Sequence, residues 1–199
     1  MYKKPTNALF FIAACAISTV ASAHIGTQEH VHASFMAGLL HPWLGTDHLL
    51  AMLAVGAWSA LVAQRLDSTL LRGPLAFANL LLLGALLGLQ GVASPAVEPL
   101  VAASVLVLGL LVLARHALGG VASIVLAGGF ALFHGLAHGA EFAAAADPVL
   151  AIAGMVVGTL GLHAIGLALG WALRSSPWGR RIAGGAVAAS GLGLLLQLG

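Results

Sequence analysis

Six apolar runs dominate this chain, approximately from Ala33 to Ala63, Pro74 to Gln90, Ala96 to Ala114, Gly120 to Ala145, Val149 to Leu173 and Ile182 to Leu198. A bilayer core is crossed by a helix of roughly 20 apolar residues, and each run is about that long, with the first long enough to tilt or break. Short breaks of Arg, Asp, Ser, Gly and Pro separate them. The expected fold is therefore all-α, a polytopic membrane bundle of six transmembrane helices following a cleaved signal peptide. With 60% of its 199 residues hydrophobic and only 7% charged, the chain lacks the polar surface that a soluble enzyme, a nucleic-acid binder or a disordered protein needs.

Residues 1–23 read as the leader. MYKK supplies the positive start, Ala8 to Val20 the apolar stretch, and Ala21-Ser22-Ala23 the small-residue cleavage pattern, so the mature chain begins at His24. A rival reading places lipoprotein-type cleavage before Cys15. Because Lys3 and Lys4 leave with the leader, the pI near 9.2 signals no polyanionic partner. What remains is six arginines against six acids. Cleavage before His24 also removes the one cysteine, so a metal would have to be held by nitrogen and oxygen.

Arginines occupy alternate breaks. Arg65 and Arg72 follow the first run, Arg115 the third, and Arg174, Arg180 and Arg181 the fifth, whereas the chain around the other breaks, Ser94 to Glu98 and Asp147, is charged only by acids. Positive loops stay in the cytoplasm, so both mature termini are expected on the outer side of the membrane. Residues 24–32 then form a short outer tail in which His24, His30 and His32 either capture ions or are simply polar, and residues 33–199 form the six-span transmembrane domain. Three runs on each side of the midpoint make the first and fourth cross in opposite senses, the topology of a 3+3 inverted repeat. AGLLH (Ala37 to His41) against FALFH (Phe130 to His134) is the faint sequence echo of it.

Ionisable groups within hydrocarbon are costly and mark function by default. Here they cluster. The first run carries His41, Asp47 and His48, the fourth His134, His138 and Glu141, and the fifth His163. Positions i, i+4 and i+7 share one helical face, so His134, His138 and Glu141 form a stripe, with ~6 Å of rise between the two histidines. Two such imidazoles can share one ion. His41 and His48 would stand ~10.5 Å apart along an unbroken helix, too far for that. Pro42 and Gly45 lie between them, and the segment is expected to kink or unwind there and line a cavity. Asp47 could ligate an ion or orient His48. His163, farther inward, is an exit ligand or a lone packed histidine. The competing explanation of both clusters is a polar packing seam, each histidine bonded to a backbone carbonyl. Trp43, Met52 and Trp58 read as packing or interface residues.

HPWLGTDHLLAM (His41 to Met52) and FHGLAHGAE (Phe133 to Glu141) strongly resemble the paired motifs of the HupE/UreJ family of bacterial nickel/cobalt permeases, and every motif position is matched. At matching depths in the membrane, Asp47, His48, His134 and His138 are expected to gather around a central metal site with His41 and Glu141 nearer the outer mouth, and all six fall on motif positions. The resemblance implies that Ni²⁺ or Co²⁺ is cargo, with no resident cofactor, delivered to hydrogenase or urease maturation. The expected partners are thus the divalent ion and the lipid bilayer, with no nucleic acid, and a homo-oligomer stays open. No GxxxxGK[ST] loop is present, so transport would be facilitated or coupled to an ion gradient. Residue patterns alone leave two alternatives: an intramembrane metal-dependent hydrolase, which lacks HExxH and GxSxG, and a bis-His haem protein.

Overall fold

The structure, a computed structural model, describes residues 35–63, 65, 67–115, 118 and 120–199. The leader, Cys15, the tail histidines His24, His30 and His32, and His116 lie outside the described residues. All regular structure among those described is helical: α1 (Phe35–Leu44), α2 (Thr46–Val62), α3 (Arg72–Leu89), α4 (Val97–Ala114), α5 (Gly120–Phe142), α6 (Pro148–Leu173) and α7 (Pro177–Leu196), with a 3-10 turn at Ser68–Leu71. Ser68–Leu89, Val97–Ala114 and Pro148–Leu173 are long and apolar enough to cross a membrane, and α1 with α2 also qualifies if the bent pair is one span.

Capping sets the boundaries. Asp147 accepts the amide of Leu150 at 2.9 Å and Ser176 that of Gly179 at 3.2 Å, each just before a proline at the first helical position. Such an oxygen satisfies an orphan donor, and the proline has no amide to leave unpaired. The sixth run accordingly begins as helix at Pro177, five residues before the hydropathy start at Ile182, which places Arg180 and Arg181 in the opening turns of α7 and not in a loop. Asp67 caps the 3-10 turn, and its hydrogen bonds from Thr69 hold its carboxyl below the usual range.

Helices pair through small residues. The main contacts are α3 with α5, α4 with α7, and α6 with both α1 and α2. A side chain added at Gly84 would lie 3.0 Å from the Cα of Gly135, and one at Gly88 3.0 Å from the Cα of Gly139, so two GxxxG stripes face each other with their backbones touching. Gly56 and Gly166 make the equivalent approach between α2 and α6. Glycine is needed at these sites because no Cβ fits.

Arginines gather at one end. Arg115 Nε donates to the carbonyl of Leu61 at 2.9 Å, Arg174 to that of Ala63, and Arg180 Nε to that of Leu113 at 3.4 Å. Leu61 and Leu113 lie in the last turns of α2 and α4 and Ala63 is the C-cap of α2, positions where unpaired oxygens and the negative end of the helix dipole favour a cation. Arg115 reaches its partner from a left-handed backbone conformation, φ 53°. Arg115→Ala should therefore lower stability by about 1 kcal/mol in detergent, given its exposure. Arg115→Gly should lower it less, because glycine adopts that φ without strain. Thermal unfolding of both variants checks the order, and a glycine variant less stable than the alanine one would contradict it.

Candidate metal centre

The break between α1 and α2 builds the centre. Pro42 lies within the last turn of α1, and Gly45 is extended (φ −82°, ψ 122°) and caps α2, so the two helices meet at 82°. His41 in the last turn of one helix and His48 in the first turn of the other are thereby folded toward each other, their ring centroids 6.2 Å apart. An unbroken helix would have separated them by ~10.5 Å. This corner faces α5, whose His134, His138 and Glu141 project toward it.

The six side chains from the two runs form one file. Glu141 Oε2 lies 3.1 Å from His41 Nε2 and 4.0 Å from His138 Nδ1. His138 stands 4.7 Å from His41 and 4.1 Å from His48 between ring centroids, and His48 stands 4.7 Å from His134. One donor atom each from His41, His138 and Glu141 falls within 4.8 Å of the others. That spacing approaches what a cation with bonds near ~2 Å requires. Phe142 stacks on His138 at 6.0 Å and walls one side.

Hydrogen bonding decides which nitrogens are available. Asp47 Oδ1 accepts both the backbone amide of His48, at 2.8 Å, and its Nδ1, at 2.7 Å. A carboxylate can only accept, so Nδ1 carries the proton and the buried Nε2 keeps its lone pair. Of the two roles open to Asp47, this geometry fits orientation of the imidazole. His134 Nε2 lies 2.8 Å from Ser104 Oγ. Among the described residues His48 Nε2, His134 Nδ1 and both nitrogens of His138 are buried and have no hydrogen-bond partner, with Glu141 4.0 Å from His138 Nδ1. A packing seam predicts the opposite, since buried polar atoms in a structural role are bonded.

His163 stays apart from the file. Both its nitrogens are buried and unbonded, as is Thr159 Oγ1 one turn earlier on α6. The ring of Phe77 stands between it and the cluster, 5.3 Å from His163 and 5.7 Å from His134. Ser104 and Phe77 escaped the sequence reading. A lone serine or phenylalanine in an apolar run has no spacing signature, because a membrane serine usually bonds its own helix. Two cavities flank the bundle: one of about 490 Å³ at the arginine end, reaching Arg65, Arg72 and Ser59, and one of about 450 Å³ bordered by Glu98, Leu136 and Ala140.

Comparison with known proteins covers nearly all of the chain. The family described as HupE / UreJ protein matches residues 12–194. Protein HupE of Rhizobium leguminosarum bv. viciae is 38% identical over 199 residues, spanning 98% of either chain. No solved structure matches.

Proposed function

The chain belongs to the HupE/UreJ family, and from that membership and the histidine file we propose that it is a six-span inner-membrane permease importing a divalent transition-metal cation, nickel or cobalt. The observation that carries the proposal is the convergence of four buried, unbonded imidazole nitrogens, from His48, His134 and His138, beside two carboxylates. Imidazole with carboxylate suits a borderline cation and disfavours magnesium or calcium, which take oxygen ligands. Two ionised carboxylates and one dication sum to zero charge, the state least penalised in a low-dielectric interior.

No single ion bonds all six side chains, because the file is longer than one coordination sphere. His41, His138 and Glu141 therefore form the outer ligand set, and His48 with His134 the next, oriented by Asp47 and reached through His138. Beyond Phe77, His163 serves as the inward ligand. Arginines at the opposite end of the bundle support an outward-facing mouth beside Glu141. The pairing of helices supports matched halves: exchanging the first three runs for the last three turns the contact of run one with run five into that of run four with run two, and leaves three with six unchanged. The leader and the destination in hydrogenase or urease assembly rest on sequence and family resemblance. Against the haem alternative, ring centroids 4.1 to 4.7 Å apart leave no room for a porphyrin between imidazoles.

Proteoliposomes holding the purified protein should take up radioactive nickel saturably, with cobalt competing and magnesium not. Asp47→Asn keeps an acceptor for His48 Nδ1 and removes a charge, so apparent affinity should fall about 10- to 100-fold while the protein stays folded. Uptake no faster than in protein-free vesicles would sink the proposal.

A further inference from the structure

Ser104 lies at mid-length of α4, a helix that contributes no ionisable side chain to the file. Its side chain is wholly buried and makes two contacts. Oγ lies 2.6 Å from the carbonyl oxygen of Val101 and 2.8 Å from Nε2 of His134. A hydroxyl owns one proton. Two oxygens at 2.6 Å need that proton between them, since a carbonyl can only accept. Toward His134 the serine oxygen can then offer only a lone pair, which requires Nε2 of the imidazole to carry hydrogen. A neutral imidazole has one N–H, so Nδ1 is left bare, and Nδ1 is the buried nitrogen of His134 that has no hydrogen-bond partner among the described residues.

Building on the permease reading above, we propose that Ser104 is a positioning residue that selects the tautomer of His134, so that it presents Nδ1 to the cation. His48 is set in the opposite sense, with Asp47 holding Nδ1 and Nε2 left open. The two neighbouring imidazoles, 4.7 Å apart, are thus left with different bare nitrogens, Nε2 in one and Nδ1 in the other. Without the serine oxygen, the His134 proton is free to move to Nδ1. That form turns an N–H toward the cation and must be reversed before binding. A neutral acceptor has an advantage here. Asp47 already supplies charge beside His48, and a carboxylate on α4 would add an unbalanced one to a site whose two acids match a dication.

The test uses the full chain, purified and labelled with nitrogen-15 in histidine, with the His134 ring resonances assigned by their loss in His134→Gln. In the metal-free wild type the nitrogen shifts should report hydrogen on Nε2 and a bare Nδ1. Ser104→Ala should give a mixture of the two tautomers and bind Ni²⁺ about 10- to 100-fold more weakly in direct titration, as loss of an orienting partner does at other metal sites. Ser104→Thr, which retains the hydroxyl, should restore both the shifts and the affinity. A wild-type spectrum with hydrogen on Nδ1, or a Ser104→Ala variant with unchanged shifts, would overturn the assignment. The shifts are read without metal, so a protein that binds no nickel would refute the permease reading and still decide what Ser104 does.

Discussion

Replacing His138 with alanine should abolish saturable nickel uptake, a loss of at least about 100-fold, because a ligand is expected to matter at least as much as the groups that orient one. His138 is the hinge of the file. Its ring is the one that approaches both His41, at 4.7 Å, and His48, at 4.1 Å, and Glu141 lies within 4.0 Å of it. Deleting it removes a ligand from the outer set and the step between the two sets at once. Among the described residues neither of its nitrogens makes a hydrogen bond, and Glu141, 4.0 Å away, keeps His41 at 3.1 Å, so the truncation leaves no group without a partner. The protein should fold and reach the membrane in normal amount. His138→Gln preserves much of the volume without an imidazole and should transport no better than alanine. The measurement is initial uptake rate in vesicles normalised to protein. An alanine variant retaining more than half the wild-type rate would mean that ions do not travel along this file.

The second large effect lies in packing. Gly135→Leu should prevent stable assembly, because a Cβ there runs into the backbone of α3: the carbonyl of Leu81, the amide of Ala85 at 2.7 Å and the Cα of Gly84 at 2.8 Å. Overpacking against yielding side chains costs about 1–3 kcal/mol, and backbone does not yield in that way. α3 and α5 would have to separate, and with α5 would move His134 and His138, which flank residue 135. Thermal unfolding in detergent should show a large loss of stability, or no folded protein at all. Gly129→Leu is the control on the same helix, since no described residue lies within 4 Å of a Cβ at that position, and it should leave stability nearly unchanged. Equal destabilisation by both substitutions would mean that close helix approach is not what the GxxxG stripe provides.

Much of the site was legible because helical periodicity is a local property. Residues 134, 138 and 141 fall on one face of any α-helix, whatever surrounds it. The same logic reached its limit at His41 and His48, whose separation depends on an angle at Gly45 that no periodicity encodes. Pro42 and Gly45 marked where the chain could break. The 82° bend itself depends on α1 and α2 both packing on α6. The start of α7 was misplaced for a related reason: hydropathy follows side chains, whereas Ser176 and Pro177 begin the helix through the backbone, ahead of the apolar run.

Residue order and chemistry were enough to establish an apolar helical chain with arginines in alternate breaks and imidazoles on a common face, since each follows from neighbours within a turn or two. Which nitrogen of each histidine is bare, that α4 supplies a serine to one of them, and that Phe77 stands between His134 and His163 required the folded molecule. Asp47 sets its own neighbour His48, but the serine and phenylalanine relations join residues dozens of positions apart, and helix packing, not any local preference, brings those together.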